Sequence, residues 1–338
     1  MRHFFVINPH SFKANKDDMV RILTEIENCF SGEHHGEYNV HISRYPRDAV
    51  AVVHRFISSC PKDETVRVYA VGGDGILFEC LNGMVDFSNA ELSSIPYGNA
   101  NDFPRAFGDN KDVIERFRNI KALTTAPAHP MDIIDCGSNY AFNEVNIGMI
   151  GHTIIQANSL FPILPKKWLR RNIGLAYTLA GLRALLNRDL LKQKYTITID
   201  GDDISGNYCN IHIANSSFNG GTLCPSPYAM PNDGLLNGIF TSSTTLFNIM
   251  LSINDYNKGL FEKYNFFKHK TFKTMEISSD EVLHAEMDGE GFYAKDFTIK
   301  IIPGGIKVFA PEGLDFVDFS HMAYKFDKAF MSDKKTGG

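Results

Sequence analysis

The 338-residue chain sets 34 lysines and arginines against 39 aspartates and glutamates, a net charge of −5 that excludes a generally nucleic-acid-binding surface. A hydrophobic content of 43% and a charged content of 22% are ordinary for a globular protein, and the length suits two domains with a core each. The six cysteines (Cys29, Cys60, Cys80, Cys136, Cys209, Cys224) form no C-x-x-C pair and read as reduced thiols, neither a disulfide framework nor a zinc site. Phe4 to Ile7 is too short an apolar run for a signal peptide, and no stretch of ~18 apolar residues offers a bilayer span. The expectation is a cytoplasmic protein, free to visit the inner face of a membrane.

Phe4 to Ile7 reads as a strand, stopped by Asn8-Pro9-His10-Ser11. Lys13 and Lys16 follow, then a helical pattern through Met19, Ile22, Leu23 and Ile26. Tyr38 to Ser43 reads as a second strand and Asp48 to Ile57 as a second helix. His34, His35 and His41 near the intervening turn read as a surface group. Val66 to Val71 is a buried strand that breaks at Gly72-Gly73-Asp74-Gly75 and re-emerges as a helix bearing Glu79. Glycines let an anion approach the backbone, and the helix start behind them offers free N–H groups and a positive dipole end. An acid inside such a loop makes sense where a metal ion or a hydroxyl proton is handled beside phosphates. Leu92 to Ile95 is a fourth strand, ending in Pro96-Tyr97-Gly98-Asn99-Ala100-Asn101-Asp102-Phe103. Strands alternating with helices imply a doubly wound parallel sheet, with ligands at the carboxyl ends of its strands. The loops at 8–13, 72–75 and 97–102 share that edge.

After Pro127 and Pro130 the pattern changes to strands with hairpin-like turns: 131–136, 140–147, 194–200, 208–214, 236–241, 274–278, 282–287, 297–302 and 306–309. Asp200-Gly201-Asp202-Asp203 reads as a hairpin turn, and the tail from Ser332 as a disordered end. The segment 160–194 holds eight basic residues (Lys166, Lys167, Arg170, Arg171, Arg183, Arg188, Lys192, Lys194) against Asp189, +7 locally, with the only tryptophan, Trp168. Leu175, Leu179, Leu182 and Leu186 share one helical face. A basic, amphipathic, tryptophan-bearing helix suits an anionic membrane surface; a helix packed on the sheet with a solvated basic side is the competing reading.

Four motifs, in order, resemble the diacylglycerol kinase catalytic-domain superfamily, which includes bacterial diacylglycerol kinases, YegS-type lipid kinases, and sphingosine and ceramide kinases. Asn8-Pro9 with Ser11 resembles its opening turn, and Gly72-Gly73-Asp74-Gly75 with Glu79 and Asn82-Gly83 its glycine loop and helix. Pro96 to Arg105 resembles P-x-G-T-x-N-D-F-A-R; Asn232-Asp233-Gly234-Leu235-Leu236 and Met287-Asp288-Gly289-Glu290 resemble two motifs of its second domain. The resemblance covers about residues 3–310. It implies an α/β nucleotide-binding domain over 1–128, NAD kinase-like and phosphofructokinase-like in fold. A β-rich antiparallel sandwich would follow over 129–303 as the lipid-substrate domain, with 160–194 as a basic insertion and 304–331 packing back on the first domain. It further implies ATP and Mg²⁺ as cofactors and a lipid hydroxyl as acceptor. Carried over residue by residue, Asp74 is the acid at the phosphates and Glu290 the general base. Asn8, Pro9, Ser11, Ser43, Gly72, Gly73, Gly75, Glu79, Gly98, Asn99, Asn101 and Asp102 are the nucleotide contacts. Asp233 with the carbonyls of Met230 and Leu235 matches a structural metal site.

The chain departs from the family pattern at Ile76 and Asn99, each in place of a threonine, and at Asn232, in place of an aspartate in many members. The sequence leaves open which of Asp74 and Glu290 takes the proton. It also leaves open a catalytically degenerate nucleotide- or lipid-binding protein, a small-molecule kinase like the NAD kinases, the ATP or GTP preference, and the oligomeric state, a homodimer included. The NAD kinases share the Gly-Gly-Asp-Gly loop but lack the P-x-G-x-x-N-D-F loop. No P-loop and no protein-kinase catalytic loop is present.

Overall fold

Strands covered on both faces need apolar side chains in an unbroken run rather than in alternation, and Phe4–Ile7 and Val68–Val71 supply such runs. In a computed structural model, which describes residues 1–12, 16–31, 37–160, 173–187 and 189–321, these runs become the centre of a parallel sheet. The strands β1 (Arg2–Ile7), β2 (Glu37–Ile42), β3 (Val66–Gly72) and β4 (Ala90–Pro96) pair in the order β2-β1-β3-β4. Helices α1 (Lys16–Phe30), α2 (Asp48–Ser58) and α3 (Asp74–Met84) make the crossovers. The chain leaves β1 to one side for β2 and returns to the other side for β3. The strand order therefore reverses between β1 and β3, where a crevice opens at the carboxyl ends. Gly83 packs α3 against α2: a Cβ there would lie 2.6 Å from the carbonyl of Val50.

Short helices α4 (Asp102–Arg105), α5 (Lys111–Phe117) and α6 (Ile120–Thr124) lead into the strand-rich half. Its strands are β5 (Ala128–Asp135), β6 (Tyr140–Ala141), β7 (Glu144–Gly148), β8 (Lys194–Ile199), β9 (Asp202–Asp203), β10 (Gly206–Ala214), β11 (Leu236–Ser242), β12 (Phe267–Phe272), β13 (Thr274–Met287) and β14 (Glu290–Phe309). Pairing among them is antiparallel, and Asp200 and Gly201, both at positive φ, turn β8 into β9 as expected. β14 carries the ladder back to the parallel sheet, where Lys307 and Val308 pair with Glu91 and Leu92 of β4.

Three expected strand divisions differ. Residues 297–302 and 306–309 belong to one strand, interrupted by a register shift at Pro303-Gly304-Gly305, where proline donates no ladder bond. Residues 274–278 and 282–287 are likewise one strand with an irregularity between Ser278 and Leu283. Residues 140–147 instead split into β6 and β7, because the N–H groups of Phe142 and Asn143 turn inward to the Asp288 carboxylate.

Helices α7 (Met149–Leu160), α8 (Ile173–Leu186) and α9 (Leu246–Tyr256) cover this half. The leucine face expected on α8 points outward: Leu179, Leu182 and Leu186 are exposed, while Ala180 and Ala184 are buried. Lys13, His34, His35, Lys166, Lys167, Trp168, Arg170, Arg171, Arg188 and everything from residue 322 lie outside the described residues. Among the described residues, no helix is long and apolar enough to cross a membrane.

Candidate active site

Three loops meet at the switch point. The first is a single turn over Pro9–Phe12, with the Asn8 N–H on the carbonyl of Val71 (2.9 Å) and its Oδ1 accepting from the His10 N–H (2.9 Å). The second is Gly72–Gly75, from which α3 starts; the third is 97–102, tied in by the Tyr97 N–H on the Gly72 carbonyl (2.7 Å). Only glycine permits their contact. A Cβ at Gly98 would lie 2.3 Å from the Cα of Gly73, and one at Gly72 would lie 3.0 Å from Ser11 Oγ. Ser43 joins the same edge from the end of β2, its N–H on the carbonyl of Ile7 (2.9 Å). Ile76 is buried against Gly72, so the position of the absent threonine is filled by packing. Asn99 is exposed at the loop tip.

Several residues expected to face the nucleotide are engaged within the protein. Asp74 accepts the N–H groups of Asn101 (2.9 Å) and Asp102 (2.8 Å), one on each carboxylate oxygen, so it pins the third loop and the start of α4. Glu79 accepts from Arg47 (2.9 Å) and Ala49 (3.0 Å) and thereby caps the start of α2. Asn101, at φ 55°, clamps Gly98: its Oδ1 accepts the Gly98 N–H and its Nδ2 donates to the Gly98 carbonyl, both at 2.9 Å. The Gly98 amide is therefore spent locally. Asp102 accepts from Gly220 (3.0 Å) and Gly221 (2.6 Å) of the strand-rich half. Burial, with the Asp74 charge second, pushes the Asp102 carboxyl up to about 8, and burial also raises that of Asp74.

Glu290 does reach the glycine loop. Its Oε1 lies 3.9 Å from where a Cβ of Gly75 would sit, in the first turn of α3. It opens β14 after a tight turn in which Asp288 and Gly289 both have positive φ. Two buried acids hold that turn from behind. Asp288 accepts the N–H groups of Phe142 (2.8 Å), Asn143 and Glu144 (both 3.0 Å), while Glu286 accepts from the Gly289 N–H (2.8 Å) and Asn146 Nδ2 (2.6 Å). Burial pushes Glu286 and Asp288 each up to about 7.

From Glu286 a buried polar set, unread in the sequence, runs back to the glycine loop. Asn146 Oδ1 meets His212 Nδ1 at 2.9 Å, and Glu144 Oε2 lies 3.3 Å from the same nitrogen. Asn219 Nδ2 donates to Glu144, and Gly220 and Gly221 beside it donate to Asp102. Burial drives His212 down to about 3, so the ring is neutral. Because Asn146 uses its amide nitrogen on Glu286, its Oδ1 can only accept, which places the imidazole proton on Nδ1. The only sequence signal was polar residues inside β7, β10 and β13, central strands otherwise lined by Val, Ile and Ala.

The expected metal loop is built on β5 and the β14 irregularity. Asp132 accepts from Gly234 and Gly304, each at 2.7 Å, and Asp233 Oδ1 accepts from the Leu235 N–H at 2.9 Å. Burial and the nearby Asp132 raise the Asp233 carboxyl. Two neighbouring carboxylates in one loop suit a cation, although no group of three or more His, Cys, Asp or Glu side chains among the described residues forms a metal cluster.

Beside this centre, α7, α8, α9, β10 and β11 enclose a mainly apolar cavity of about 550 Å³, lined by Met149, Ile150, Tyr177, Leu182, Ile249 and Ile253 among others. Asn210 and Tyr256 also line it, and their Nδ2 and Oη are buried without a hydrogen-bond partner.

The family model of the diacylglycerol kinase catalytic domain matches residues 2–136, and that of the YegS C-terminal NAD kinase beta sandwich-like domain matches residues 165–310. A Shewanella frigidimarina protein named "Probable lipid kinase YegS-like" is 28% identical over 264 residues, 76% of this chain and 80% of that protein. A protein of the same name from Chromohalobacter salexigens is 27% identical over 250 residues, 73% of this chain and 76% of its own length. A solved structure titled as a diacylglycerol kinase from Bacillus anthracis superposes with a TM-score of 0.65 at 21% identity, over 93% of this chain and 98% of that one. In both halves, and in the order of its motifs, the chain belongs to the diacylglycerol kinase catalytic-domain superfamily.

Proposed function

We propose that the protein is a lipid kinase that transfers the γ-phosphate of ATP to the hydroxyl of a diacylglycerol-like lipid. The observation that carries this reading is the placement of Glu290, delivered by the strand-rich half against the first turn of α3 at Gly75. Phosphoryl transfer asks the protein for backbone donors at the phosphates and a carboxylate at the acceptor hydroxyl. The start of α3, half-buried at Gly73 to Gly75, supplies the donors. Glu290 is the better base: both oxygens of Asp74 already hold backbone N–H groups, so Asp74 shapes the pocket that receives the triphosphate. Glu290 and the phosphates would hold Mg²⁺, which would supply charge neutralisation on the transferring group. A cation on Asp233 with the Met230 and Leu235 carbonyls would brace the second half and stand outside the reaction.

The apolar cavity suits the acceptor's acyl portion, with Asn210 and Tyr256 left to pair its ester or hydroxyl oxygens. The relatives named as lipid kinases agree in chemistry. The proposed division of labour puts nucleotide binding in 1–128 and lipid binding in 129–303, with the cleft between them. The test is a radiolabelled γ-phosphate transfer screen over diacylglycerol, ceramide, sphingosine and phosphatidylglycerol in mixed micelles, with NAD as a soluble acceptor. Labelled diacylglycerol or ceramide is expected. No labelled lipid in any arm overturns the reading, and label in NAD alone replaces it with a small-molecule kinase.

A further inference from the structure

The helix α9 is amphipathic the wrong way round for a helix packed on a core. Its buried residues are Ile249 and Ser252, whereas Phe247, Met250 and Leu251, at i, i+3 and i+4, face outward with exposures of 72%, 61% and 59%. α8 shows the same inversion, with Ala180 and Ala184 inward and Leu179, Leu182 and Leu186 outward, Leu186 at 75%. Of the seventeen exposed large apolar side chains among the described residues, nine lie on α8, on α9 or at Leu223 between them in sequence. They are not scattered, because Leu182, Leu223 and Ile253 line the mouth of the apolar cavity as well. An exposed apolar patch of this kind marks a place where something else sits.

We propose that the outward faces of α8 and α9 form one docking surface that seats the cavity mouth on the acyl-chain boundary of an anionic phospholipid bilayer. Two observations select a bilayer over a second copy of the chain or another protein. The cavity opens through the patch, so a protein seated there would close the opening, whereas a bilayer continues the apolar lining outward. The charge is also complementary. Among the described charged residues of 173–194, Arg183 on α8 and Lys192 and Lys194 beyond it are exposed against one exposed acid, Asp189. The one acid of α9, Asp255, is paired with Lys263 at 3.5 Å. Basic residues beside an apolar stripe give the two attractions of an interfacial helix, and the apolar one is insensitive to salt.

Docking is measurable without nucleotide or turnover, so its failure and the failure of the kinase reading are separate results. The full chain is floated with vesicles of phosphatidylcholine and phosphatidylglycerol at 0.05 and 0.5 M salt, alongside the triple variant F247S/M250S/L251S, whose three positions lie outside the cavity lining. The wild-type chain is expected in the vesicle fraction. The variant is expected to partition about tenfold less at both salts, with turnover of a short-chain diacylglycerol in detergent unchanged. Absence of the wild-type chain from the vesicles, or partition of the variant within twofold of wild type, overturns the proposal. Sedimentation equilibrium that finds a wild-type dimer converted to monomer by the same variant overturns it too, in favour of a copy-to-copy interface. Should the triple variant misfold, F247W in a W168F background provides the readout. Its emission shifts to the blue on vesicle addition if α9 enters the interface, and a spectrum that does not move refutes the assignment.

Discussion

Asp74→Asn separates a strut from a chemical group. In the structure each oxygen of Asp74 accepts one backbone N–H, from Asn101 at 2.9 Å and Asp102 at 2.8 Å. An asparagine keeps one acceptor and turns an NH₂ toward the other N–H, so one bond is lost and a buried donor is stranded. A bond to a charged acceptor contributes about 2 kcal/mol, and a stranded donor costs about 1–3 kcal/mol. Removing a buried charge that repels Asp102 returns part of this, leaving a net loss of roughly 2 kcal/mol. At about 2–4 °C per kcal/mol for a large domain, the melting temperature falls by about 4–8 °C. The assay is thermal melting beside γ-phosphate transfer. Turnover should collapse together with the lowered melt, because the loop carrying Gly98 is no longer pinned against Gly73. A melting temperature within about 1 °C of wild type would refute the strut, even if activity vanished.

Three further perturbations are specific. Glu290→Gln at the cleft should lower kcat by about 10²–10⁴-fold with an unchanged melt, read by steady-state transfer kinetics; full activity would remove Glu290 as the base. Gly98→Ala and Gly75→Ala should part company in melting and ATP titrations. The first drives a Cβ to 2.3 Å from Gly73 Cα and destabilises the fold, while the second meets only Glu290 Oε1 at 3.9 Å, keeps the melt and raises the KM for ATP severalfold. For Glu286, whose carboxyl is pushed by burial up to about 7, the folded value exceeds the unfolded one. Its contribution to stability is therefore complete below the ordinary glutamate range and is lost as pH rises through about 7. Denaturant titrations should find the wild-type chain less stable at pH 8 than at pH 5.5, and Glu286→Gln should flatten that slope.

The sequence made the parallel half legible because its signals are local. Apolar runs at Phe4–Ile7 and Val68–Val71 fit two-sided strands, and glycines at 72, 73 and 98 mark where backbones must touch. The same locality hides what engages the loop acids. Asp74 reads as the acid at the phosphates and Glu79 as a nucleotide contact, while the donors on their carboxylates come from Asn101, Asp102, Arg47 and Ala49, which no local pattern connects to them. Periodicity does not say which face of a helix is covered, and in α9 the fold turns Phe247, Met250 and Leu251 outward.

The buried polar set supplies the link that the motifs alone did not give. Glu290 is an exposed side chain on a turn, and a base so placed needs its backbone fixed. Glu286 fixes Gly289; Asn146 and His212 fix Glu286; and Glu144, Asn219 and the amides beside it fix Asp102, whose own N–H sits on Asp74. The two acids singled out from sequence, Asp74 and Glu290, are thus coupled through side chains and amides that touch neither reacting atom. Each bond in that chain has a defined donor, since His212 is neutral and Asn146 orients its proton. Burial raises the carboxyls of Asp102, Glu144, Glu286 and Asp288, and the repulsion of neighbouring charges in one dry region adds to it. The cleft geometry therefore depends on protons retained behind it, and a rise in pH that strips them should loosen the hold on Glu290 before the fold itself gives way.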